Sequence, residues 1–288
     1  MANKSRFIIA ESSIKAFFKE NAQKVFSREE IKRIFEARRG LWNLPLSTTA
    51  ERFAEQLVRR EVLKIEKIEF ESYAGTKERF VVEGTSPFQV ATSLMPKAYL
   101  SHYTAVFLNG LTTQVPKNIY ISFEQSKKNN VDRTLEQAAI DSAFSRPQRS
   151  AGSRAHYQGY TLVLLTSMHA GRVGVTTIDN LPVTGIERTL IDGTVRPAYS
   201  GGVQAVLDAY QKALPELSMN KLLATLKTMD FIYPYHQSIG FYLERAGYSS
   251  KQLEKLHQMP REFDFYLTYE MQDPAYSKEW RLYYPRGM

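Results

Sequence analysis

Between Thr48 and Arg59 the sequence collects hydroxyl, guanidinium and carboxamide side chains at Thr48, Thr49, Arg52, Gln56 and Arg59. Residues three and four apart share one face of a helix, so Thr49, Arg52, Gln56 and Arg59 can present their groups together. Such groups are able to read base edges: a guanidinium pairs with guanine, a carboxamide with adenine, and a hydroxyl with phosphate or base. Lys67, Lys77 and Arg79 follow downstream as cations suited to phosphate contacts, which position a duplex without specifying its sequence. A solvated polar face would use the same residue types, and Glu51, Glu55 and Glu61 dilute the positive field. The elements that hold these side chains decide between the two readings.

Residues from about Ile8 to Asn21 carry a rough helical stripe at Ile9, Ile14, Phe17 and Phe18. Ser27-Arg28-Glu29-Glu30 has the spacing of a capping box, and Ile31, Ile34 and Phe35 behind it form a buried face. Arg38-Arg39-Gly40 closes this second helix with cations and a glycine. A loop with Pro45 leads to a second cap, where Thr48 and Glu51 stand in box spacing. Ala50, Phe53, Ala54, Leu57 and Val58 then make the apolar stripe opposite the polar face. The period next changes from helical to alternating. Ile65, Ile68 and Phe70 run into a turn at Ser72–Thr76, and Arg79-Phe80-Val81-Val82 returns. Three helices and a hairpin in this order predict a winged helix-turn-helix over residues 1–84, with the third helix entering the major groove.

Beyond Gly84 the pattern mixes helices and strands and leaves the topology open. Short helices are expected over Ser86–Leu94 and Ser101–Leu111, a strand over Asn118–Phe123, an exposed loop over Gln125–Asp132 and a helix over Leu135–Phe144. Arg146–Arg154 reads as a basic loop that could add backbone contacts through Arg146, Arg149 and Arg154. Tyr160–Leu165 and Arg172–Ile178 alternate as a strand pair around Ala170-Gly171. Helices resume at Ile186, over Gly201–Leu214, over Met219–Met229 and within residues 236–257. An aromatic tail from Phe263 to Tyr284 is extended. The fold class expected is therefore mixed α/β (α+β), with a winged helix-turn-helix at 1–84 and a larger mixed domain at 85–288.

The net charge of +8 over 288 residues suits a phosphate-binding surface. Half of that excess falls in residues 1–84, the shorter part. With no cysteine in the chain, disulfides, thiolate metal sites and cysteine nucleophiles are excluded. The opening residues lack the apolar run of a secretory signal and no stretch approaches a membrane span, so a cytoplasmic protein without membrane contact is expected. The five histidines, His102, His156, His169, His236 and His257, show no metal-site pairing. Nucleotide-binding glycine loops and nucleophile elbows are missing too. Asp179, Glu187 and Asp192 are the nearest acidic set. Glu187 and Asp192 stand five apart, where helix faces diverge, which favours structural roles. His102 reads as a helix-start polar contact or a packed imidazole. No catalytic residue, metal or cofactor is expected.

Within the second region, Leu100-Ser101-His102-Tyr103-Thr104-Ala105-Val106-Phe107-Leu108-Asn109-Gly110-Leu111-Thr112 resembles the opening helix of the C-terminal domain of the AbiEi antitoxin family. Asn118–Ser122 is similar to the strand that follows there. Val183–Asp192 resembles that family's Glu-Arg-Thr-Leu-x-Asp segment, and Pro197 and Gly201-Gly202-Val203 match its later proline and glycine pair. The resemblance spans roughly residues 8–245. It implies the antitoxin half of a type IV toxin–antitoxin system tied to abortive phage infection. In that arrangement the N-terminal domain binds inverted repeats in double-stranded DNA of its own promoter and represses it. The C-terminal domain is required for antitoxicity and assists cooperative binding. The functional partner implied is a nucleotidyltransferase toxin, countered without a stable protein complex. A stand-alone transcription factor would share these motifs. Two rivals from other classes are a nucleic-acid enzyme targeted by the winged helix and a protein-interaction adaptor.

Overall fold

The structure is a computed structural model that describes residues 6–72, 74–125, 134–150, 152–167 and 170–288. Its elements are mixed α and β, as the patterning predicts. By contacts the chain forms two compact units. The first holds Met1–Pro96 and Ser153–Thr161, and the second Lys97–Gly152 and Leu162–Met288. The first unit therefore reaches past Gly84 and recruits a later segment that local patterning at 1–84 could not show.

In the first unit α1 (Arg6–Glu20) buries Phe7, Ala10, Ile14 and Phe18. The stripe lies one step away from the expected one: Ile9 is 69% exposed, while Phe7 and Ala10 fall in step with Ile14 and Phe18. A strand missing from the expected order, β1 (Val25–Phe26), precedes α2 (Arg28–Arg38). Ser27 and Glu30 close the capping box reciprocally: the Glu30 amide donates to Ser27 Oγ at 3.2 Å and the Ser27 amide to Glu30 Oε2 at 2.7 Å. The left-handed residue after α2 is Asn43, φ 48°, whereas Gly40 needs no such conformation.

The chain between α2 and α3 (Ala50–Arg59) is much longer than the turn of about 3–4 residues that usually joins a helix-turn-helix pair. It is fixed by its own apolar residues. Trp42 and Leu44 are buried, and the Trp42 ring stacks on Phe53 at 5.5 Å and 20°. Phe7 and Phe35 pack on the same Phe53 ring. Each fully buried large apolar side chain of this kind contributes about 1.5–3 kcal/mol.

The hairpin follows as expected, β2 (Lys64–Glu69) against β3 (Thr76–Val81), antiparallel from Lys64↔Val81 to Glu69↔Thr76. β1 adds to the other side of β3, giving the order β1-β3-β2. Position 73, inside the expected turn, lies outside the described residues. The unit is completed by α4 (Pro87–Ser93), which carries a Ser86/Gln89 capping box and proline at its first position. The segment from Ser153 also belongs here, and its Arg154 carbonyl accepts the Glu71 amide at 2.9 Å.

The second unit is built on a mixed sheet. Its strands are β4 (Tyr99–Leu100), β5 (Asn118–Glu124), β7 (Tyr160–Ser167), β8 (Val175–Ile178) and β9 (Leu181–Thr184), in the order β7-β5-β4-β9-β8; β6 is Ser153–Tyr157. The expected pairing of Tyr160–Leu165 with Arg172–Ile178 does not form. β8 instead turns back on β9 through Asp179 and Asn180, both at positive φ, a mirror-image hairpin turn. β9 escaped the sequence reading because Pro182 interrupts a short run. Residues 126–133, most of the expected lysine-rich loop, lie outside the described residues. Arg154, expected in a loop, is in a strand.

The segments that carry the family resemblance pack on one another. Leu100 in β4 pairs in parallel with Val183 in β9. Asn109, just after α5 (His102–Leu108), donates through Nδ2 to the Thr184 carbonyl at 2.9 Å. Residues Arg188 to Thr194 of α7 (Ile186–Val195) are all buried. After α6 (Gln137–Phe144), α8 (Val203–Ala213), α9 (Met219–Met229), α10 (Tyr235–Arg245) and α11 (Ser250–His257), the aromatic tail folds as a small sheet. Its strands are β10 (Phe265–Tyr266), β11 (Ala275–Ser277) and β12 (Leu282–Tyr284), in the order β10-β12-β11. Trp280, fully buried, lies where a Cβ on Gly240 of α10 would stand, 2.1 Å from its ring. The glycine is the space the indole fills. No helix among the described residues is long and apolar enough to cross a membrane.

Candidate nucleic-acid interface

Helix α3 separates its two faces cleanly. Phe53, Ala54 and Leu57 are buried, with Ala50 and Val58 packed at the edge of the same core. Arg52 and Arg59 are exposed and Gln56 is half-buried on the other side. None of these three side chains has a hydrogen bond or ion pair among the described residues. The neighbouring Arg60 is spent, bound to Glu11 at 3.2 Å.

The cap of α3 is Thr49, not Thr48. Thr49 Oγ1 accepts the Arg52 amide at 3.3 Å, and the N3 position is therefore Arg52, so no Thr48–Glu51 box forms. The Glu51 carboxyl is held below its usual pKa by its own backbone amide first and by the Thr49 hydroxyl next. Thr49 is thus occupied in ending the helix, and Thr48 is half-buried in the preceding loop. Across from the start of α3, Arg28 and Lys32 of α2 line a cleft with Glu29 and Glu51. The sequence reading passed over these two cations because they sit outside the third helix.

On the hairpin, Lys67 is exposed and stands opposite Glu78, while Lys77 is half-buried opposite Ile68. Neither lysine has an ion-pair partner among the described residues. Arg79 is a correction. Its guanidinium donates to the carbonyls of Ser93 through Nε and Nη2 at 3.1 and 2.7 Å, to Glu78 at 2.7 Å and to Leu94 at 3.2 Å. The Ser93 and Leu94 carbonyls are ones that the end of α4 leaves without helical partners, and burial lowers the Arg79 pKa. Arg79 holds α4 to the hairpin and is not free for phosphate.

The other chemistry-bearing residues have local partners. Glu187 accepts the Ser218 amide at 3.0 Å, Asp192 takes Arg188 at 2.8 Å, and Asp179 forms the β8–β9 turn. Among the described residues no three histidine or acidic side chains converge closely enough to hold a metal ion. His236 Nε2 lies 2.9 Å from the Pro260 carbonyl, and His257 stacks on Trp280 beside Glu279. His156 stands at 3.5 Å from Thr161, and His169 lies outside the described residues. His102 combines both of its expected roles: it begins α5 and packs edge-on against Tyr199 at 5.6 Å. Arg146, Arg149 and Arg154 are exposed.

No family model matches the chain, and no curated protein matches it either. Among solved structures, the chain is similar to the crystal structure of the RV2827C protein from Mycobacterium tuberculosis, with a TM-score of 0.58 and 14% identity over 96% of this chain and 90% of that one. At that identity the likeness concerns the fold, and it extends over nearly the whole of both chains.

Proposed function

We propose that the first unit binds double-stranded DNA in a sequence-dependent way and that the protein is an AbiEi-like antitoxin which represses its own operon. The carrying observation is the α3 face. Arg52 and Arg59 are exposed and Gln56 is half-buried, all three without a hydrogen-bond or ion-pair partner among the described residues, on a helix whose opposite side is anchored in an aromatic core. A rigid helix with unspent guanidinium and carboxamide groups meets the geometric demand for reading base edges in the major groove. Lys67 and Lys77 on the hairpin, with Lys32 on α2, supply cations for the backbone, whereas Arg28 is already paired with Glu78. Thr48 and Thr49 meet phosphate only at the helix start, where Thr49 is also the cap. Arg79 has no part in the interface. The antitoxin half of the proposal, its nucleotidyltransferase partner and a cytoplasmic setting rest on the resemblance of Leu100–Thr112 and Val183–Asp192 to that family.

The test is binding of the purified full chain to the DNA upstream of its own gene and to a scrambled fragment, across a salt series. A preference for the upstream fragment, with log K falling linearly against log salt, is the expected result. Equal binding to the two fragments overturns the sequence dependence and the operon repression, and salt-independent or absent binding overturns the DNA reading and leaves a protein-interaction adaptor. Rescue of growth on co-expression with a nucleotidyltransferase encoded beside this gene tests the antitoxin half separately.

A further inference from the structure

The salt bridge inside α7 is incomplete. Arg188 donates through Nε to Asp192 Oδ1 at 2.8 Å and through Nη1 to the Val173 carbonyl at 2.9 Å. Its Nη2 has no hydrogen-bond partner among the described residues, although the side chain is only 3% exposed. This side chain lines a cavity of about 150 Å³ within the second unit. His102 and Arg196 line it too. The His102 Nδ1 lies 2.9 Å from Ser101 Oγ, which in turn lies 2.7 Å from Ser122 Oγ. Its Nε2 has no partner among the described residues, in a residue that is 7% exposed. Arg196 stacks over the Tyr199 ring at 5.6 Å and makes no ion pair among the described residues.

Two guanidiniums and one carboxylate leave the lining of this cavity one positive charge in excess. A buried or half-buried cation without a counter-charge is unfavourable, and a ligand anion would remedy it. Part of the lining is of another kind: Leu165, Val195, Met229 and Phe231 are apolar. Concave sites that combine an apolar wall with a few convergent polar groups are the usual form of small-molecule sites. His102 also sits at φ 51°, an unusual backbone state for a side chain of this size. Residues held in such states cluster at ligand clamps and active sites. Burial keeps its imidazole neutral, with a pKa lowered to about 4, so it contributes a hydrogen bond and leaves the charge excess intact.

We propose that this cavity binds a small monocarboxylate with a compact apolar body. Arg196 and the Arg188 Nη2 take the carboxylate, and Leu165, Val195, Met229 and Phe231 take the body. The volume admits a ring or branched chain of modest size. A fully polar anion such as phosphate would leave the apolar wall uncovered. The proposal is independent of the DNA reading, since it concerns one unit and one class of ligand.

Calorimetric titration of the full chain with benzoate, isovalerate and phenylpyruvate tests it, with benzamide and inorganic phosphate alongside. At least one carboxylate gives saturable binding, benzamide and phosphate give none, and Arg196→Gln weakens the affinity by about tenfold or more, as loss of a charged hydrogen bond does. Arg196 is half-buried at the helix end, and a melting curve of the variant checks that it folds. Proton NMR adds a reading of place: the His102 ring resonance, identified by its absence in His102→Asn, shifts on titration. No binding of any of the three carboxylates overturns the proposal. Undiminished binding by Arg196→Gln, or phosphate binding in their stead, overturns it as well.

Discussion

Helices α3 and α7 both carry arginines, yet in opposite surroundings. On α3 the buried side is purely apolar and Arg52 and Arg59 stand in water. On α7 Arg188, Thr189 and Asp192 are themselves buried, so the polar side chains are part of the interior. A guanidinium in water keeps its charge available to a polyanion at no cost to the fold. One taken from water must be neutralised on the spot, because the desolvation penalty for a lone ion amounts to several kcal/mol. Arg188 shows this balance: burial alone would lower its pKa, and the Asp192 carboxylate beside it, together with Tyr99 and Glu124, more than offsets that. Arg79 lies between the extremes, with its charge shared among the last carbonyls of α4.

The sharpest way to break this contrast is Asp192→Ala. It leaves Arg188 buried without its counter-ion and is expected to cost about 3–5 kcal/mol in a urea unfolding titration. A cost below about 1 kcal/mol would mean that water or another group already neutralises Arg188.

Next in size is the pH response of the same region. The folded pKa of His102, about 4, lies below the ordinary 6.5 because burial disfavours the imidazolium. The unfolded chain therefore binds the extra proton first. The stabilisation is complete above about pH 6.5 and is lost as pH falls toward 4, a contribution of about 3 kcal/mol. Carboxylates titrate in part of this window, so the measurement is the difference between wild type and His102→Asn. Parallel stability–pH curves for the two would refute it.

Gly240→Ala comes third. The new methyl would overlap the Trp280 ring, with both residues packed in the core, and overpacking of this kind costs about 1–3 kcal/mol or more. A loss of helix-internal glycine would otherwise be stabilising, so the sign alone discriminates when thermal unfolding is followed.

The smallest effect on stability falls on α3. Arg52→Ala is expected to move unfolding by no more than about 0.5 kcal/mol, while costing about 1–3 kcal/mol in binding to the preferred DNA and relaxing its sequence preference. Lys67→Ala, by contrast, weakens all DNA alike and lowers the salt slope by about 1. Identical behaviour of the two variants in a binding titration would remove the division between base-reading and backbone-contacting residues.

Local chemistry was the legible part of this molecule. The Ser27 capping box, the Phe53–Leu57 stripe and the β2–β3 hairpin form as their residues dictate. They are legible because each is decided by side chains within about one turn or one hairpin of each other. The cap of α3 was misplaced by one residue because Thr48 and Thr49 offer the same hydroxyl, and only the backbone path through Pro45 chooses between them. β1 and β9 were missed for lack of length, since strands this short are held by partners rather than by their own pattern. Of the candidate site, the three side chains on α3 were legible as a face, whereas Arg79 was not legible as a structural group. Its acceptors, Ser93 and Leu94, belong to a helix whose packing has no trace in the residues around position 79.

The sequence by itself therefore determined composition, charge, the absence of cysteine chemistry and the faces of individual helices, because these depend on residue type and near-neighbour spacing. Tertiary structure alone decided which arginine is exposed, tied to carbonyls or buried against a carboxylate. It also brought His102, Arg188 and Arg196 to one cavity. Desolvation, the quantity that sets these roles, depends on atoms far away along the chain, and no local pattern of residues records it.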